Sequence, residues 1–229
     1  MSNILQNLDW TVVYGVIPAL ICLTFHELAH AVTAYWLGDN TAKNMGRLTL
    51  NPIKHIDPFG LIAMIVFRFG WAKPVPVNMM NFSNPKRYMA ATALAGPVSN
   101  VILAVISLFV LGILIRPFGG VLYSPLGEQG FYYRGESIVL VMVERTAYLN
   151  IALAIFNMIP IPPLDGSKVV FSVISDDAYF KLMRYERYGM IVLILLISTE
   201  FFNRTVGHAV FTIYERFSVV AQAAFHLVN

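Results

Sequence analysis

Charge is what this sequence has least of. Only 13% of its 229 residues are Asp, Glu, Lys or Arg, against about 25% in a typical soluble domain. With 57% hydrophobic residues and a mean hydropathy of +0.65, such a chain cannot present a polar surface to water on every side, so its natural solvent is a bilayer. Cysteine is nearly absent: Cys22 stands alone inside an apolar run, which excludes an internal disulfide and leaves the redox compartment unmarked. The first ten residues hold no Lys or Arg, and the apolar run after them is too long for the core of a cleavable signal, so the first helix is expected to stay in the mature protein. The net charge of +3 is small and its basic residues gather in particular loops, a pattern of membrane topology and not of a nucleic-acid face.

Long apolar runs are plentiful. About 20 helical residues cross the hydrocarbon core, and the runs Trp10 to Trp36, Tyr88 to Ile115 and Val141 to Ile159 satisfy that length. Pro160, Pro162 and Pro163 break the third. A fourth, shorter span is expected from Tyr188 to Phe202. Leu61 to Phe69 is too short to cross and predicts a re-entrant or interfacial segment. In the tail from Thr205 to Val228, Phe211, Tyr214, Phe217, Ala221, Ala224 and Val228 recur at helical spacing, which fits a helix lying on the membrane or packed as a last element. Glu144 and Arg145 are placed at the outer edge of the third span. With no repeat or flexible linker in view, the expectation is one membrane-embedded domain over residues 1–229, with a core of about 10–187, a span of 188–203 and an amphipathic tail helix of 205–228.

Lys43, Arg47, Lys54, Arg68, Lys73, Lys86 and Arg87 lie between the first two runs, and Lys168, Lys181, Arg184 and Arg187 follow the third. By the positive-inside rule these two segments are cytoplasmic and the N-terminus is outside.

His26-Glu27-Leu28-Ala29-His30 carries the chemistry. On a helix, positions i and i+4 share one face, so both imidazoles can bind one metal, and Glu27 beside them can take a proton from an attacking water. Ionisable residues inside a membrane helix are functional by default; the competing reading, two core histidines at a helix interface, leaves Glu27 without a partner. A catalytic zinc takes three protein ligands. The third candidate is Asp165, in Asn157-Met158-Ile159-Pro160-Ile161-Pro162-Pro163-Leu164-Asp165-Gly166. Spacing alone divides it evenly between a ligand and the N-cap of a following helix; topology favours the ligand, because the ends of the first and third spans both lie on the cytoplasmic side.

With these elements in place, the sequence resembles the site-2 protease family of intramembrane zinc metalloproteases, in its compact bacterial form without PDZ or CBS domains. His26 to His30 match the family's HExxH, and Asn157 to Gly166 its second motif. Ala95-Gly96-Pro97-Val98-Ser99-Asn100 resembles the AGPxxN element, and Gly46 to Gly60 the loop after the metal helix. The resemblance covers about His26 to Lys168. It implies an all-α polytopic membrane protein: a three-helix catalytic core, a loop after the metal helix with strands and a re-entrant segment, and additional C-terminal helices. It implies one Zn2+ per chain held by His26, His30 and Asp165 near the cytoplasmic face, with Glu27 as base, and a substrate that is a membrane protein with a transmembrane helix, cleaved in regulated intramembrane proteolysis. Asn157 is expected near the substrate or the oxyanion, or in an interhelical hydrogen bond. Gly96 and Pro97 are expected to serve close packing and a bend. His55 is a candidate for substrate or transition-state contact or for access, or for third ligand should Asp165 fail, against the plainer reading of a structural loop histidine. The expected location is a bacterial cytoplasmic (inner) membrane. A membrane metal transporter and a non-proteolytic membrane scaffold are the rivals; the first needs a polar path across the bilayer, and the second is expected to have lost Glu27 or Asp165.

Overall fold

A computed structural model describes residues 10–67, 70–123, 132–134 and 137–228. The N-terminal residues 1–9, and Arg68 and Phe69 of the loop, lie outside the described residues, so the placement of the N-terminus does too. The helices in chain order are α1 (Trp10–Trp36), a single turn α2 (Thr41–Asn44), α3 (Pro58–Phe67), α4 (Pro85–Leu114), α5 (Ile138–Asn157), α6 (Asp165–Phe171), α7 (Asp176–Ile197) and α8 (Glu200–Leu227). A short antiparallel pair, β1 (Val121–Tyr123) and β2 (Tyr132–Arg134), joins α4 to α5. Three helices, α1, α4 and α5, are long and apolar enough to cross a membrane, and α7 with α8 forms a fourth candidate bent by 81°. The protein is an all-α polytopic membrane protein.

The bundle is built around α4, which packs on α1, α5, α6 and α8. Asn84 caps it and Pro85 opens its first turn, where a missing N–H leaves nothing unsatisfied. In lipid no hydrophobic force separates helix from solvent, so association relies on close packing of small residues. Ala31, Ala34, Ala93, Ala104, Ala147, Ala221 and Ala224 are buried accordingly. At Gly112 of α4 an added Cβ would collide with the Ala221 carbonyl of α8, so the two backbones touch there. Large apolar side chains such as Ile17, Ile21, Phe25, Ile102, Ile106 and Phe109 point outward instead. That inverted surface belongs in lipid.

Several expected boundaries move. The second and third spans begin three residues earlier than their hydropathy does. The fourth does not reach Phe202: α7 ends at Ile197, and Thr199 accepts from the Phe202 amide to start α8. The tail packs as a last helix, with Val210, Tyr214, Phe217 and Ala221 against α4 and α5. Glu144 sits in the second turn of α5, and the Tyr214 hydroxyl of α8 donates to its Oε1 at 3.2 Å. The expected short apolar segment is a helix, α3. At ten residues it spans about 15 Å and cannot cross. Among the described residues, the loop that holds it contains no named strand. It has one antiparallel bridge, between Ile56 and Ala72, and an extended stretch that follows.

Candidate metal centre

His26 and His30 lie on the inward face of α1. The Nε2 atoms of the two rings are 3.0 Å apart, and each is 3.1 Å from Oδ2 of Asp165. All three residues are buried, and they are the one group among the described residues able to hold a metal ion. Zn–N bonds of about 2.0–2.1 Å in a tetrahedron set donor atoms about 3.3 Å apart, so this triangle has nearly the size that zinc requires.

The protonation pattern follows from the partners. Asn150 Nδ2 donates to the Thr146 carbonyl at 2.8 Å, which turns its Oδ1 toward Asn100. Asn100 Nδ2 donates there at 3.0 Å, leaving its own Oδ1 to accept from His26 Nδ1 at 2.8 Å. The Thr92 carbonyl, which can only accept, takes His30 Nδ1–H at 2.7 Å. Both protons are therefore committed outward, and two Nε2 lone pairs and a carboxylate oxygen converge with no hydrogen between them. Such a set is repulsive unless a cation fills it. Outward N–H donors of this kind fix the tautomer and orientation of metal-ligating histidines.

Gly96 is part of the same fit. A Cβ there would lie 2.5 Å from Cε1 of both histidines and from Nε2 of His30. The expected close approach at Gly96 is thus an approach to the imidazoles themselves. Asp165 reaches them because the chain turns back after α5 through Met158–Leu164, with a cis peptide between Pro162 and Pro163. Asp165 is the first residue of α6, whose N-cap is Leu164. The capping reading is thereby corrected: the carboxylate faces the histidines with one oxygen, while its Oδ1 lies 3.6 Å from Lys168 Nζ.

Glu27 lines the same cavity as His26, His30 and Asp165 but is held from the loop. Its Oε2 accepts from the Val75 backbone amide at 2.8 Å, in the extended stretch of the loop. That stretch is fixed by Arg47, which is 5% exposed and donates through Nη2 to the Lys73 carbonyl at 2.5 Å and through Nη1 to that of Pro74 at 3.3 Å. Gly46, at φ +64°, supplies the left-handed turn that brings Arg47 inward. Burial lowers the guanidinium pKa from its ordinary value, while the charge of Glu27 opposes that shift. Farther on, Asp39 takes the Asn78 amide at 2.7 Å and the Asn81 side chain at 2.7 Å. Burial would raise the Asp39 pKa, but hydrogen bonds from Thr41, Asn78 and Asn81 outweigh it and hold it below the usual value.

A cavity of about 350 Å³ opens on the triad, with Met89, Leu153, Phe156 and Leu193 among its apolar walls. Asn157 lines it, and its amide donates to the Leu153 carbonyl of its own helix at 3.0 Å, not across helices. His55 is absent from that lining. It is buried, with Nε2 at 2.8 Å from the Thr49 carbonyl, inside the loop. Reasoning from sequence gave no role at the site to Arg47, Asp39, Thr92 or Asn150, and quoted Asn100 only as part of the AGPxxN element. A buried asparagine spaced to face a histidine helix was the available signal for Asn100; Arg47 had none beyond its charge.

A histidine pair on one membrane helix, faced by an aspartate from beyond another, offers the donor set of a metal centre of the HExxH type. The chain belongs to the site-2 protease family: residues 134–198 match Peptidase family M50. It is 41% identical over 186 residues to YwhC of Bacillus subtilis (strain 168), named as an inferred zinc metalloprotease, covering 81% of this chain and 80% of YwhC. It is also 27% identical over 200 residues to Rip2 of Mycolicibacterium smegmatis, similarly named, covering 86% and 71%. A relative from Methanocaldococcus jannaschii, also similarly named, is 34% identical over 111 residues, 48% of each chain. No solved structure matches. Family and donor set together make this a membrane-embedded zinc metalloprotease.

Proposed function

We propose that the protein hydrolyses a peptide bond in or beside a transmembrane helix of another membrane protein, with His26, His30 and Asp165 as the zinc ligands and Glu27 as general base. The observation that carries this reading is the convergence of two Nε2 lone pairs and Asp165 Oδ2 within 3.1 Å, every outward proton being spoken for. Zinc bound there supplies Lewis acidity toward a carbonyl and makes a water acidic enough to react near neutral pH.

The protein's own residues do the rest. The Val75 amide occupies Oε2 of Glu27, so the other oxygen takes the proton from the attacking water and returns it to the leaving amine. The apolar walls of the cavity take the side chains flanking the scissile bond and keep bulk water away. A substrate helix has its carbonyls hydrogen-bonded, so it must unwind locally before it fits; helix-weakening residues near the cut favour turnover. The C-terminal half of α1, the N-terminal half of α4 and the chain after α5 meet at the site, and the basic segments 37–87 and 166–187 adjoin these parts in sequence. That supports a site near the cytoplasmic face of a bacterial inner membrane, in regulated intramembrane proteolysis.

The test uses purified protein in lipid nanodiscs and a helical transmembrane peptide, with chelator and with zinc restored. Cleavage should stop with chelator and return with zinc. Chelator-resistant cleavage would refute the zinc reading, and zinc flux into proteoliposomes without cleavage would favour a transporter.

A further inference from the structure

The extended stretch from Ala72 to Asn78 is held at Ala72, Lys73, Pro74, Val75 and Asn78 by groups outside it. Ala72 bridges to Ile56, and the Lys73 amide donates to the His55 carbonyl at 2.9 Å. Arg47 takes the next two carbonyls, of Lys73 and Pro74. The Val75 amide meets Glu27, and the Asn78 amide meets Asp39. Val75 is flanked by Pro74 and Pro76, which have no N–H and favour an extended chain. Between 74 and 76, then, the backbone has a single donor, and it is aimed at the one carboxylate beside the metal ligands.

We propose that Arg47 is a positioning residue for Glu27, acting through this backbone: by clamping the carbonyls of Lys73 and Pro74 it seats the Val75 amide on Oε2 and leaves Oε1 to take the proton from water. The inference rests on the reading of Glu27 as base. A guanidinium suits the task because its planar fork reaches two successive carbonyls at once, whereas an ammonium is a point charge on a flexible stem. Arg47→Lys therefore keeps the charge near Glu27 and loses the fork. It separates positioning from simple electrostatic compensation.

The experiment compares parent, Arg47→Lys, Arg47→Gln, Val75→Pro and Glu27→Gln, all full-length in nanodiscs. Zinc content and hydrogen–deuterium exchange of the peptide spanning 72–78 are read without turnover; kcat and KM are read on one helical substrate. Val75→Pro deletes the backbone donor in a stretch already flanked by prolines and exchanges one cavity-lining apolar side chain for another, so it remains informative should the Arg47 variants fold poorly. Expected results are unchanged zinc, faster exchange in both Arg47 variants, and a fall in kcat of roughly 10- to 100-fold with KM little changed, a fraction of what general-base catalysis supplies. Arg47→Gln combined with Val75→Pro should lose little beyond either alone, as for residues acting as one unit. Parental kcat in Arg47→Lys would overturn the proposal, as would parental exchange in Arg47→Gln or loss of zinc in step with loss of turnover. Persistent cleavage by Glu27→Gln would instead defeat the base assignment, and the exchange data would still decide whether Arg47 clamps the stretch.

Discussion

His26 and Glu27 are neighbours in the chain, yet they are held by different parts of the molecule. His26 is fixed from inside the bundle, through Asn100 of α4, Asn150 of α5 and the Thr146 carbonyl. Glu27 is fixed from the loop, by the Val75 amide that Arg47 and Asp39 hold in place. The metal frame is made of helix-to-helix contacts between buried side chains; the base frame is made of loop backbone. One site thus has two supports, and damage to each should have its own signature. On the proposed roles, loss in the bundle frame should remove zinc, and loss in the loop frame should remove turnover while zinc stays.

The sharpest way to break that comparison begins with the ligands. Asp165→Ala removes one of the three proposed donors, so zinc measured per polypeptide should fall to background; full occupancy would point to another third ligand. Next comes Gly96→Ala, whose Cβ must displace both imidazoles. It should lose most of its zinc while circular dichroism still reports a folded helical protein. Asn100→Leu leaves the ligands intact but removes the acceptor of His26 Nδ1–H, and zinc affinity by competition with a chelator should weaken about 10- to 100-fold. Gly112→Leu lies away from both frames, at the contact with Ala221. Overpacking there should lower stability by about 1–3 kcal/mol, seen in thermal unfolding, with zinc retained.

The smallest effect concerns pH and the loop frame alone. The Asp39 pKa is lower in the folded protein than in an unfolded chain. Its stabilising contribution is therefore fully present above the ordinary carboxylate value of about 3.9 and is lost as pH falls below that through the folded value. Hydrogen exchange across 78–81 should rise in that window faster in the parent than in Asp39→Asn, which has no such charge to lose.

How far the sequence could be read follows the same division. His26, Glu27 and His30 were legible because one helix turn relates them, and the three spans because a bilayer demands their length. On spacing Asp165 was balanced between cap and ligand, since the reversal at Met158–Leu164 that delivers it is a tertiary fact; topology tipped it toward the ligand, and the resemblance agreed. Arg47 counted merely as a basic residue of a cytoplasmic loop, because nothing local shows that its fork meets carbonyls 26 and 27 positions away. The α7–α8 break was missed because Phe201 and Phe202 carry the apolar run past the short polar step Ser198-Thr199-Glu200, while the turn is made by Thr199 as a cap.

The central claim, that adjacent residues serve separate frames and separate tasks, is tested most directly by Glu27→Gln. The substitution keeps size and the acceptor for Val75 but cannot accept the proton of the attacking water. Zinc per polypeptide and cleavage of one helical substrate are measured on the same preparation. The account predicts one zinc per chain, as in the parent, and cleavage reduced by at least about 100-fold. Parental cleavage, or zinc lost along with it, would contradict the account.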